Sequence, residues 1–69
     1  MKVVINGKQT TLEGNPTVAG LLVSQKVKMP EMVSVELNGK ILRPNLFDTT
    51  RLAENDQVEF LYFMGGGGS

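Results

Sequence analysis

Apolar and polar residues along this chain fall into short stretches with two different periods. Lys2-Val3-Val4-Ile5 is short and β-branched, the composition of a strand. Asn6-Gly7 follows, and both central positions of a type I′ turn need positive φ, so the pair predicts a hairpin. Lys8 to Glu13 alternates loosely, with Thr10 and Leu12 on one side. After Gly14-Asn15-Pro16 the period changes. Thr17 is placed to cap a helix, and Val18, Leu21, Leu22 and Gln25 follow at helical spacing, which predicts a helix from about Thr17 to Lys26. Gly20 weakens it by up to about 1 kcal/mol relative to alanine, a cost explained if the glycine lets the helix approach the sheet. Lys26 and Lys28 suit the C-terminal end of the helix dipole, and Met29-Pro30 stops any continuation.

The second half returns to alternation. From Met32 to Leu37, Val33, Val35 and Leu37 share one face and Ser34 and Glu36 the other, the pattern of a half-buried strand. Asn38-Gly39 is a second hairpin signal, with Lys40-Ile41-Leu42 as the return strand. Pro44 to Asp48 reads as an irregular or single helical turn, with Leu46 and Phe47 pinning it to the core. Asn55-Asp56 is a turn, and Gln57 to Phe63 is the last and most apolar strand. The order β-β-α-β-β-β implies an α+β fold, one mixed sheet of about five strands clasping a single helix.

Composition narrows what such a domain does. Sixty-nine residues allow one domain. A domain of this size buries only about 60% of the surface its unfolded chain exposes, which leaves little room for a deep substrate pocket beside a complete core. The chain has no cysteine and no histidine. Disulfides, thiolate metal sites, cysteine nucleophiles and the commonest general base are therefore excluded. No catalytic residue and no metal site is expected, and core filling accounts for Met1 and Met32. Seven basic and seven acidic residues give zero net charge, so no basic block is available for nucleic acid. No apolar run approaches the roughly 20 residues that span a bilayer. Met1-Lys2 leads into a strand-like segment rather than a signal peptide, so a soluble, cytoplasmic protein is expected. Glu54 and Asp56 are close in sequence but flank Asn55 in a turn, where solvated carboxylates are expected rather than an acid–base pair.

Parity along the final strand points to a partner. With Val58, Phe60 and Tyr62 inward, Leu61 and Phe63 point outward, and Met64 leads on into the glycines. Leu61, Phe63 and Met64 then form an apolar patch suited to a partner surface. Gly65-Gly66-Gly67-Gly68-Ser69 has no side chain to pack and the largest backbone entropy to lose, so it is expected to be disordered. The division that follows is a body over residues 1–64 and a tail over 65–69. A chain without side chains threads a narrow tunnel and brings a carboxylate to a buried site. The same five residues are also the usual unit of an engineered linker, and composition does not separate the two readings.

Taken together, Val3-Val4-Ile5-Asn6-Gly7-Lys8, Val33-Ser34-Val35-Glu36-Leu37-Asn38-Gly39 and the run from Asn55 through Gly67 resemble the ThiS/MoaD family of prokaryotic sulfur carriers. The resemblance covers the whole chain and is strongest to the thiamine-biosynthesis branch. It implies a ubiquitin-like β-grasp fold and a protein cosubstrate rather than an enzyme. It further implies a ThiF-like adenylating enzyme, of the ubiquitin-activating type, that binds the body and draws in the tail. The terminal glycine carboxylate is adenylated with the partner's ATP, converted to a thiocarboxylate, and donates sulfur to a thiazole synthase or another sulfur-accepting enzyme. No cofactor is implied on the carrier itself.

The family ends on glycine, whereas here Ser69 follows four glycines. Three readings follow: a precursor trimmed by a peptidase, a cloning addition at Gly68-Ser69, or a copy that no longer carries sulfur. Gly66-Gly67 is the expected functional pair within the tail Gly65, Gly66, Gly67 and Gly68, with Gly65-Gly66 as the alternative. A ubiquitin-like interaction or modifier module, or a carrier serving methionine, cysteine or molybdopterin synthesis, are the competing functions.

Overall fold

The first hairpin forms where the Asn-Gly pair requires it. Strand β1 (Lys2–Ile5) turns back into β2 (Lys8–Thr11) through Asn6 at φ 50° and Gly7 at φ 80°, the left-handed pair of a type I′ turn. In this computed structural model residues 1–27 and 32–62 are described. A second hairpin joins β3 (Val33–Leu37) to β4 (Lys40–Leu42) through Asn38 at φ 53° and Gly39 at φ 85°. The last strand, β5 (Gln57–Tyr62), enters between the hairpins and gives the strand order β2-β1-β5-β3-β4. It runs parallel to β1 (Ile5 beside Val58) and antiparallel to β3 (Val35 beside Phe60). The expected α+β order and the mixed sheet of five strands are both present. Phe63, read from the sequence as the last residue of this strand, lies outside the described residues.

The helix α1 (Val18–Ser24) is shorter than the expected span from Thr17 to Lys26. Thr17 is its cap, with Oγ1 accepting the Gly20 N–H at 3.1 Å. Its other end closes in a Schellman motif. Lys26 takes φ 59°, its N–H goes to the Val23 carbonyl, and the Val27 N–H reaches back to the Leu22 carbonyl. Lys26 therefore terminates the helix and does not extend it. Lys28 and Met29-Pro30 lie outside the described residues.

Alternation and the helical stripe meet in one core. Val3, Ile5, Val33, Val35 and Val58 line the inner face of the sheet, and Val18, Leu21 and Leu22 cover them from the helix. Fully burying a Leu or Val is worth about 1.5–3 kcal/mol, so these eight side chains supply most of the driving force. Leu12, Phe47 and Leu52 close the core from connecting segments.

The long connection from Arg43 to Asp56 is tied to the helix start. It opens with a single 3₁₀ turn at Pro44–Leu46. The Val18 N–H then donates to the Thr50 carbonyl, the Ala19 N–H to the Phe47 carbonyl, and the Leu52 N–H to the Pro16 carbonyl, each at 2.9 Å. The first two satisfy donors that a helix N-terminus leaves without intrahelical partners, and the third ties the connection to the residue before the cap.

Three expectations are corrected here. Leu46 is exposed and only Phe47 pins the turn, because the 3₁₀ turn puts the two on different sides. Met32 precedes β3 as an exposed residue and does not fill the core. Gly20 is exposed, and a Cβ placed on it meets only Thr17 and Pro16 at 3.5 and 3.7 Å. It makes no close approach to the sheet.

Candidate functional site

Strand β5 sets the site, because it alone leads from the centre of the sheet into the tail. Val58 is fully buried on its inner face, and Phe60 packs half-buried against the core. Glu59 and Leu61 take the opposite face, where Leu61 remains 38% exposed. Leu61 thus lies outward as the parity predicts. Phe63, Met64, Gly65, Gly66, Gly67, Gly68 and Ser69 lie outside the described residues, so the rest of the predicted patch and the tail are not placed.

The register shows what surrounds Leu61. Ser34 of β3 is directly opposite it, Glu36 is opposite Glu59, and Ile41 of β4 is opposite Glu36. The outer face therefore carries two exposed apolar residues, Leu61 and Ile41, on either side of a polar stripe made by Ser34 and Glu36. Sequence reading missed Ile41. Its signal was the alternation of the return strand, in which Leu42 shares the inner face with Val35 and leaves Ile41 outside.

On the edge of the strand that faces β1, a side chain trims the main-chain ladder. Asn6 follows β1, and its Oδ1 accepts the Phe60 N–H at 2.8 Å, taking a place that a main-chain carbonyl fills in a continuing strand. The Asn6 N–H goes to the Val58 carbonyl. Beyond this point β1 turns away, and β1–β5 pairing is confined to Val4 with Gln57 and Ile5 with Val58.

The turn before β5 is fixed by its carboxylates. Asp56 Oδ1 accepts from Asn38 Nδ2, and Asp56 Oδ2 from the Ala53 N–H. Glu54 Oε1 accepts from the Lys2 N–H. These oxygens are engaged with the backbone and with an amide, a structural arrangement. Among the described residues no group of three or more acidic residues could hold a metal ion, and no helix is long and apolar enough to cross a membrane.

Comparison with known proteins is decisive at this point. The family model of the ThiS family matches residues 3–67. The chain belongs to the ThiS family. Its described fold is accordingly the β-grasp fold of these sulfur carriers. A crystal structure of a thiamine biosynthesis protein, ThiS, from Geobacter metallireducens is 48% identical, with a TM-score of 0.87 over 97% of this chain and 100% of that one. A solution NMR structure of a thiamine biosynthesis protein from the same organism gives a TM-score of 0.79 at 48% identity, covering 97% of this chain and 88% of that one. A thiazole synthase from Magnetococcus marinus is 36% identical over 67 residues, 97% of this chain. This ThiS-family chain spans only 20% of that relative's length.

Proposed function

We propose that this protein carries sulfur as a C-terminal thiocarboxylate for thiazole formation in thiamine biosynthesis. The observation that carries the reading is the family match across residues 3–67. Two further findings support the thiamine branch. The Geobacter proteins are thiamine biosynthesis proteins. The Magnetococcus relative is a thiazole synthase whose sequence includes a stretch similar to this whole domain, which pairs carrier and sulfur acceptor in one chain.

The chemistry asks little of the carrier. A terminal glycine carboxylate oxygen attacks the α-phosphorus of ATP on a ThiF-like adenylating enzyme, and pyrophosphate leaves. A sulfur nucleophile then attacks the acyl carbon and AMP departs, leaving the thiocarboxylate. The thiazole synthase takes up the sulfur. Partners supply the catalytic groups, in keeping with a chain without histidine or cysteine. The folded body supplies recognition through Leu61, and we assign Phe63 and Met64 to the same contact. The division into a body over residues 1–64 and a tail over 65–69 belongs to this reading.

The reactive carboxylate is assigned to Gly67, with Gly66 before it. The family match stops at Gly67, which supports this assignment and leaves Gly68-Ser69 to be removed by a peptidase. Incubation of the chain ending at Gly67 with the adenylating enzyme, ATP and a sulfur donor is expected to exchange one carboxylate oxygen for sulfur, read by intact mass. Failure to form an acyl-adenylate from chains ending at Gly67 and at Gly66 refutes the reading in favour of an interaction module.

A further inference from the structure

Among the described residues, the middle strand of this sheet is flanked on both sides only along its first half. Main-chain groups of β5 alternate in direction. The Gln57 N–H goes to Asn38 Oδ1 and the Gln57 carbonyl accepts from Asn38, so odd-numbered residues point toward β3. The Asp56 and Val58 carbonyls accept from Val4 and Asn6, so even-numbered residues point toward β1. Phe60 and Tyr62 continue the second set. Pairing with β1 ends at Val58, and Asn6 Oδ1 takes the Phe60 N–H. From the Phe60 carbonyl through Tyr62, no strand among the described residues lies alongside β5 on the β1 side. Tyr62 is paired with Val33 across the other side, so the strand itself is held in place.

Exposed strand edges are normally shortened, charged or covered. This one sits at the root of the tail. We propose that the edge from Phe60 to Tyr62 is a docking strip on which an extended segment of the adenylating enzyme adds as a further strand beside β5. The proposal rests on the carrier reading above and names where that enzyme grips.

Chain length argues for this occupant. Gly67 is only the fifth residue after Tyr62, a reach of roughly 17 Å when fully extended. An enzyme that receives the Gly67 carboxylate in a buried site must therefore hold the body close to the end of β5. Strand addition uses main-chain hydrogen bonds for affinity and fixes direction at the same time, which aims the following residues along the enzyme surface. Charge argues the same way. Glu59 is exposed next to this edge and lies directly opposite Glu36 of β3, and like charges directly opposite each other are destabilising. A strand bringing Lys or Arg beside Glu59 relieves that repulsion.

Tyr62 allows a direct test. Its N–H points away from β3, so proline there removes a donor on the open edge and none from the β3 ladder. Full-length Tyr62→Pro and Tyr62→Ala are titrated into the adenylating enzyme by calorimetry, beside the unaltered chain. Comparing proline with alanine cancels the lost side chain. The expected result is affinity about tenfold weaker for proline than for alanine, the size of one lost main-chain hydrogen bond. Equal affinities overturn the proposal. Should Tyr62→Pro not fold, a synthetic chain with the Tyr62 amide replaced by an ester keeps the side chain and lacks only the N–H, and the same comparison is made with the unaltered chain. A chain that self-associates until Tyr62→Pro is introduced would assign the strip to a second copy and also overturn it. If the unaltered chain does not bind and the chain ending at Gly67 is not adenylated, the carrier reading has failed; if the unaltered chain binds and the variants match it, only the docking strip has.

Discussion

Asn38 holds Asp56 through its side-chain amide, Nδ2 donating to Oδ1 at 3.0 Å. The same side chain accepts the Gln57 N–H at 2.9 Å. One asparagine thus makes the left-handed turn of the second hairpin and fastens the start of β5 to it. Asn38→Gly keeps the turn and removes both bonds, with an expected loss of about 1–2 kcal/mol. Asn38→Ala adds left-handed strain of about 1–2 kcal/mol. Urea unfolding of both variants separates the two contributions; equal stabilities for glycine and alanine would show that the turn conformation carries no cost.

The helix has a glycine where alanine fits and a lysine where glycine fits. Gly20 has room for a Cβ, and Gly20→Ala is expected to stabilise by about 0.5–1 kcal/mol. Lys26 occupies the left-handed position of the Schellman motif, and Lys26→Gly is expected to add about 0.5–1 kcal/mol by removing Cβ strain. The two sites are separated along the helix, so thermal melts of the double variant should show near-additive gains.

Leu61 and Val58 stand on opposite faces of one strand. Leu61→Asp adds a charge on the outer face and should leave the melting temperature within a few degrees, while affinity for the adenylating enzyme falls about tenfold or more. Val58→Asp puts the same charge in the core and should abolish folding. Circular dichroism and binding are read together. Unfolding of the Leu61 variant would mean that its side chain is structural and not a contact.

Tail length should act on chemistry without acting on the fold. Chains ending at Gly67 and at Ser69 are expected to melt alike, because the described core has all its members between Val3 and Val58. Only the chain ending at Gly67 is expected to accumulate acyl-adenylate, followed by radiolabelled ATP turnover on the partner enzyme. Equal adenylation of both would remove the need for a trimming peptidase.

Local features were the ones legible in sequence. Both Asn-Gly turns could be read because type I′ geometry demands residues that tolerate positive φ. The inner face could be read because β3 alternates cleanly and parity sets the two faces of β5. The helix stripe was visible too, but its end was not, since a lysine in the left-handed position carries no sequence mark of a stop. Leu52 is buried yet was not singled out; it is an isolated apolar residue in an irregular segment, where no period exposes it. Val23 is 78% exposed, an apolar residue on the outer side of the helix. The parallel pairing of β1 with β5 joins segments about fifty residues apart, and pairing at that distance leaves no local pattern. At the site, the outward direction of Leu61 followed from parity. The half-open edge of β5 did not, because it depends on where β1 turns away.

The strand made last is the middle strand of the sheet. Each hairpin closes locally, but neither has its neighbour until β5 arrives, so the rate of folding is governed by closing a loop that takes in most of the chain. A chain cut short during synthesis has two unjoined hairpins and no stable body. Under the proposed carrier function the order of assembly acts as a completeness check: a body for the partner to recognise exists only in chains that have already been extended to the root of the tail.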